Sequence, residues 1–198
     1  MPVSFRYKTV FVHIPKTGGQ SISRLLDIPK GRPQNYYYEG LTHLPLRTIK
    51  EQVNIDGFYV FTFVRNPYDK ILSEYNWRMR NRRAIVYNEP TRNFMEFPQY
   101  METLLSRWNN LSSKWREKAH VMPQHMFLED DMDVFRYEQF KEGCETLKDM
   151  FDIIGPTPKV NVGHYTTKHT ERTLEITRML YEDDFKMLNY DINAYELY

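Results

Sequence analysis

A single cysteine, Cys144, leaves no way to form a disulfide within the chain. It falls in a segment that reads as helix, residues 141–150, which points to packing rather than to thiol chemistry. Long apolar runs are also missing. The N-terminal stretch MPVSFRYKTVFVHI reads as neither a signal peptide nor a membrane span, so the expectation is a cytoplasmic or otherwise soluble protein. Charge of one sign is not in excess either: 27 Lys and Arg stand against 26 Asp and Glu, a formal net charge of +1. With no global field to recruit nucleic acid or an anionic membrane, any anion site must be built locally. Repeats and low-complexity tracts are absent. The 198 residues fit one domain, residues 1–198, with a loop inserted near residues 84–98, where no clean period is visible.

What is present suffices for a core. Apolar residues make up 41% of the chain, and the 15 tyrosines add aromatic surfaces with polar edges. Residues 9–14 (TVFVHI), 58–64 (FYVFTFV) and 134–137 read as strands, the second being the strongest such run. Helices are expected at 20–26, 45–53, 68–82, 97–108, 111–119, 139–150 and 171–188. The last has Leu174, Met179, Leu180, Phe185 and Leu188 as its apolar set. Residues 31–40, with Tyr36, Tyr37 and Tyr38, read as loop. Strands alternating with helices imply an α/β fold around a central, mainly parallel sheet.

Two strand-to-helix connections carry chemistry. The first is HIPKTGGQS, residues 13–21. Its glycines let backbone N–H groups approach an anion, Lys16 adds a positive charge, and Thr17 and Ser21 add hydroxyls. The bland alternative is an ordinary tight turn. The loop is not that of the nucleotide triphosphatases, in which the lysine follows the last glycine; here Lys16 precedes the glycine pair. The second connection is FTFVRNPYDKILSEY, residues 61–75. Its strand delivers Arg65 to the C-terminal edge of the sheet, where open α/β folds bind ligands, and Ser73 follows on the next helix. The alternative there is an Arg65–Asp69 ion pair with Ser73 facing solvent.

In these two stretches the chain resembles the sulfotransferases that act on carbohydrates, above all the heparan 2-O-sulfotransferase-like branch. HIPKTGGQS resembles that family's 5′-phosphosulfate loop, and VRNPYDKILSEY its 3′-phosphate motif. Looser matches are Pro123-Gln124, Phe135-Arg136-Tyr137-Glu138 and residues 181–185 ahead of Tyr190. The resemblance implies a P-loop-like fold of three layers. It also implies 3′-phosphoadenosine 5′-phosphosulfate (PAPS) as donor, adenosine 3′,5′-bisphosphate (PAP) as product, and a hydroxyl-bearing acceptor, here a carbohydrate. Lys16, Thr17, Gly18, Gly19, Gln20 and Ser21 would bind the 5′-phosphosulfate, and Arg65 and Ser73 the 3′-phosphate. A late loop with Thr166, Thr167 and Lys168 would close over the nucleotide. His43 falls where the family often places its catalytic histidine. It would be the general base, with Lys16 stabilising the leaving phosphate. Read without the resemblance, His43 is a residue at a helix N-terminus before Pro45.

This scheme calls for no metal, no nucleic acid and no membrane span, and it leaves the oligomeric state open. His13, inside an apolar strand, reads as a hydrogen-bonded structural residue. His120, His125, His164 and His169 have no metal spacing with one another or with Cys144. His164 and His169 flank the late loop and are the next candidates for substrate contact. Asp130-Asp131 and Asp183-Asp184 read as solvated or capping groups. Arg78, Arg80, Arg82 and Arg83 form either a solvated face or a seat for an anionic acceptor. The competing functions are a nucleotide-dependent phosphotransferase and a non-catalytic binder of phosphoadenosine nucleotides or sulfated glycans.

Overall fold

The computed structural model describes residues 3–28, 43–80, 95–111, 115–158 and 166–195. The tyrosine loop at 31–40, the insertion up to residue 94, Arg82, Arg83 and His164 lie outside the described residues. The chain divides into two compact units, Met1–Arg65 with Met126–Gly163, and Asn66–His125 with His164–Tyr198.

The first unit holds a mixed sheet of four strands in the order β1 (Val3–Ser4), β2 (Thr9–Val12), β3 (Tyr59–Val64), β4 (Asp133–Arg136). β1 runs antiparallel to β2, whereas β2, β3 and β4 are parallel. The fold is therefore α/β with a mainly parallel sheet flanked by helices, as the alternation of strands and helices predicts. Central β3 is buried from Val60 to Val64, which explains its unbroken apolar run. Phe11, Phe61 and Phe63 share a core with Ile22 and Leu25 of α1 (Gly19–Leu25) and with Cys144 and Leu147 of α6 (Phe140–Met150). Stacked pairs, Phe11–Phe61 and Phe63–Phe135, each at 5.2 Å, cross the strands. Cys144 is fully buried, and burial pushes its thiol up to about 11, so it packs rather than reacts. A short α2 (Leu46–Gln52) completes this unit. β2 stops two residues before the expected end. The Ile14 N–H donates to the Val12 carbonyl at 3.1 Å, which turns the chain out of the sheet before His13 and Ile14 can pair.

The second unit is helical: α3 (Pro67–Arg80), α4 (Phe97–Ser106), α5 (Trp115–Val121), α7 (Glu171–Leu180) and α8 (Glu182–Met187). α4 starts at Phe97, so the last two residues of the expected insertion are helix. The single helix expected over 171–188 is two, broken at Tyr181. The Tyr181 hydroxyl donates to the Val121 carbonyl at 2.7 Å, and Asp184 sits fully buried just beyond the break. Asp184 accepts from the N–H groups of Gln124 and His125 at 2.8 and 2.9 Å and from His125 Nδ1 at 2.8 Å. Of the two readings of Asp183-Asp184, Asp184 is thus a capping group and not a solvated one. Met179, assigned to the apolar face, is exposed; the register of the shortened helix turns it outward.

α3 brings charge inside the second unit. Lys70, Glu74 and Arg78 are buried on one helical stripe. Glu74 contacts Arg78 Nε at 2.6 Å and His120 Nδ1 at 2.9 Å. The Lys70 ammonium donates to the carbonyls of His120 and Met122, at 3.3 and 3.2 Å, and so satisfies orphan carbonyls at the end of α5. Arg78 is therefore neither on a solvated face nor open to an acceptor, because Glu74 draws it into the core.

Candidate functional site

The loop between β2 and α1 is bent into a shape that few side chains favour. Lys16 has φ of 72°, in the left-handed region, and Gly18 follows at 82°. A non-glycine residue held there costs roughly 1–2 kcal/mol, which the surroundings must over-determine. They do so from three sides. The Thr17 hydroxyl donates to the Ile14 carbonyl at 2.8 Å. The Gly18 carbonyl accepts the Ser21 N–H at 2.9 Å as α1 begins. Below Gly18 lies the ring of Phe140, which an added Cβ would meet at 2.5 Å. Thr17 and Ser21 are buried, Lys16 and Gly18 are half-buried, and Gln20 is exposed.

Arg65 leaves the end of β3 and turns toward this loop. Its Nη1 donates to the Lys16 carbonyl at 3.3 Å, and its guanidinium lies 4.5 Å over the ring of Tyr137. The two connections that look separate in the sequence therefore touch. Tyr137 in turn packs on Phe140 at 5.4 Å, so one aromatic pair supports both Arg65 and the Gly18 turn. In the sequence, residues 135–138 are only a loose match, and nothing local marks Tyr137 as the seat of Arg65.

His43 is buried, and its Nδ1 lies 2.9 Å from the His13 carbonyl. A carbonyl can only accept, so Nδ1 carries the proton and the neutral ring keeps its lone pair on Nε2. The two imidazoles meet edge to face at 4.4 Å. His43 thus sits beside the strand end that leads into the loop.

The profile of the sulfotransferase family matches residues 1–191. The chain belongs to the sulfotransferase family. Neither the curated proteins nor the solved structures gave a match. Membership makes the chemistry sulfuryl transfer, in general to a hydroxyl-bearing acceptor.

The remaining candidates of this sulfotransferase, Ser73, Thr166, Thr167 and Lys168, belong to the second unit. Ser73 is buried on α3. The Thr167 hydroxyl donates to Asn76 Oδ1 at 3.1 Å, while Asn76 Nδ2 is fixed by the Leu72 carbonyl at 2.7 Å. The late loop is thereby tied to α3 within one helical turn of Ser73. Thr166 and Lys168 are exposed. Among the described residues, no group of three or more His, Cys, Asp or Glu is arranged to hold a metal ion, and no helix is long and apolar enough to cross a membrane.

Both ring nitrogens of His169 are engaged within the fold. It is buried, donates from Nε2 to the Tyr68 carbonyl at 3.0 Å, and has Nδ1 against the Thr173 hydroxyl at 3.1 Å. Burial lowers its pKa from 6.5 to about 4. The folded protein keeps this ring neutral, while the unfolded chain takes up its proton below 6.5. Stability from this site is therefore full above pH 6.5 and is lost as pH falls toward 4, by about 3 kcal/mol in all. Urea unfolding at pH 7 and pH 4.5 should show that loss in the wild type and a clearly smaller one in His169→Gln.

Proposed function

We propose that this sulfotransferase moves a sulfuryl group in line from PAPS to a carbohydrate hydroxyl, as its heparan 2-O-sulfotransferase-like motifs suggest. The observation that carries the reading is the join between the two motifs: Arg65 holds the carbonyl of Lys16 in the strained loop. A 5′-phosphosulfate site and a 3′-phosphate site must lie a fixed distance apart, and a direct contact between their elements supplies that rigidity. The donor supplies an activated sulfuryl group with a phosphate as leaving group. The chain's residues then have three tasks. Lys16, with the N–H groups of residues 17–20, offsets the negative charge that grows on the leaving phosphate as the sulfur–oxygen bond to it breaks. Arg65 and Ser73 hold the 3′-phosphate, and Thr166, Thr167 and Lys168 cover the nucleotide. His43 Nε2 takes the proton of the acceptor hydroxyl as the new oxygen–sulfur bond forms.

The first test is transfer of labelled sulfate from PAPS to a panel of glycans, with PAP and ATP plus magnesium compared as ligands that raise the melting temperature. Stabilisation by ATP plus magnesium, without stabilisation by PAP, would favour the phosphotransferase reading instead. The second test is Arg65→Ala. It removes the guanidinium from the 3′-phosphate and releases the Lys16 carbonyl, so PAP affinity should fall by about 2–5 kcal/mol. Unchanged affinity by calorimetry in a folded variant would take Arg65 out of the site.

A further inference from the structure

His13 lies just beyond the strand that its apolar neighbours suggest, and its ring is wedged among residues of the site. The ring stacks on Phe11 at 5.3 Å and 22°, and it meets the edge of His43 at 4.4 Å. It also covers Gly19: a Cβ at that position would lie 1.8 Å from His13 Nε2. Gly19 has no left-handed φ and sits in α1, so what glycine provides there is space for the ring.

We propose that His13 is a positioning residue for sulfuryl transfer, its ring holding His43 at the working angle and requiring glycine at position 19. The proposal rests on the reading of His43 as general base. Its carbonyl fixes the tautomer of His43 and its ring fixes the tilt, so one residue sets both the proton and the direction of the lone pair. Phe11, fully buried beneath it, gives the wedge a rigid back. The turn at residues 16–18 is held from other sides by Thr17, Arg65 and Phe140. Removing the ring should therefore affect turnover and spare donor affinity.

The experiment is single-turnover transfer with saturating donor and acceptor, with PAP affinity by calorimetry and melting temperature as controls. His13→Ala should lower the rate on the order of tenfold or more, since a base turned out of line loses most of its effect, while PAP affinity changes little. His13→Phe keeps a flat ring against Phe11 and His43 and should restore most of the rate. In a His43→Ala background, His13→Ala should cost nothing further, because its action passes through His43. Gly19→Ala should lower the melting temperature by forcing the ring out, and adding His13→Ala should recover it. A folded His13→Ala protein at wild-type rate, a His13→Phe variant as slow as alanine, or additive losses in the cycle would each overturn the proposal. If His43→Ala itself keeps the wild-type rate, the base assignment is what fails, and that arm is read separately.

Discussion

Replacing His43 with alanine is expected to lower kcat by roughly a hundredfold or more, with PAP affinity near that of the wild type. The physical ground is that a general base acts only where a proton is moving. Its loss removes transition-state stabilisation and leaves the binding of the nucleotide intact. The geometry fits the role in one specific way: the His13 carbonyl can only accept, so the neutral ring presents Nε2 as a proton acceptor. A residue that merely started a helix would behave differently. Its loss would cost typically about 1 kcal/mol of stability and leave turnover nearly intact. Single-turnover transfer, on a variant whose fold is confirmed by melting, separates the two. Transfer near the wild-type rate would end the assignment. Since His169 is already committed to Tyr68 and Thr173, the search would then move to His164.

Glu74→Gln is expected to cost about 3–5 kcal/mol of stability, close to what Glu74→Ala costs, because charge and not shape is what the site needs. Glu74 is fully buried between Arg78 and His120, with Lys70 buried one turn away on the same stripe of α3. The glutamine keeps the volume but leaves Arg78 as a cation in the interior with its carboxylate gone. Against a typical total stability of about 5–15 kcal/mol, that loss approaches unfolding. Urea unfolding in low and high salt gives the measurement, and the effect should survive high salt because buried pairs are poorly screened. A loss below about 1 kcal/mol would show that the stripe is held by packing alone. The same measurement bears on function, since α3 carries Ser73 between Lys70 and Glu74, and a helix pinned on both sides of it holds that hydroxyl in place.

Much of this protein was determined by the sequence alone, for reasons that are local. The β-branched and aromatic run at residues 58–64 reads as a buried strand, and β3 occupies Tyr59–Val64 of it. Lys, Thr, Gly and Ser packed into residues 16–21 between a strand and a helix mark a tight connecting loop, and the backbone there turns left-handed at Lys16 and Gly18. Among the described residues periodicity also placed α1 to α6, with ends off by a few residues, and read α7 and α8 as one helix, because propensity weakens where a cap or a turn takes over.

What tertiary structure decided are contacts between distant segments, which no local pattern carries. The expected helix over 171–188 breaks at Tyr181 because Asp184 must reach the N–H groups of Gln124 and His125, some sixty residues earlier. Arg78 looked like one more surface arginine until Glu74 and the burial of α3 drew it inward. The tautomer of His43 depends on a carbonyl thirty residues away, and the seat of Arg65 depends on Tyr137 arriving from the end of β4. A sequence records which groups are available. Which of them lose their water to one another is settled only when the strands and helices pack, since desolvation is what makes a single hydrogen bond or charge contact decide a position.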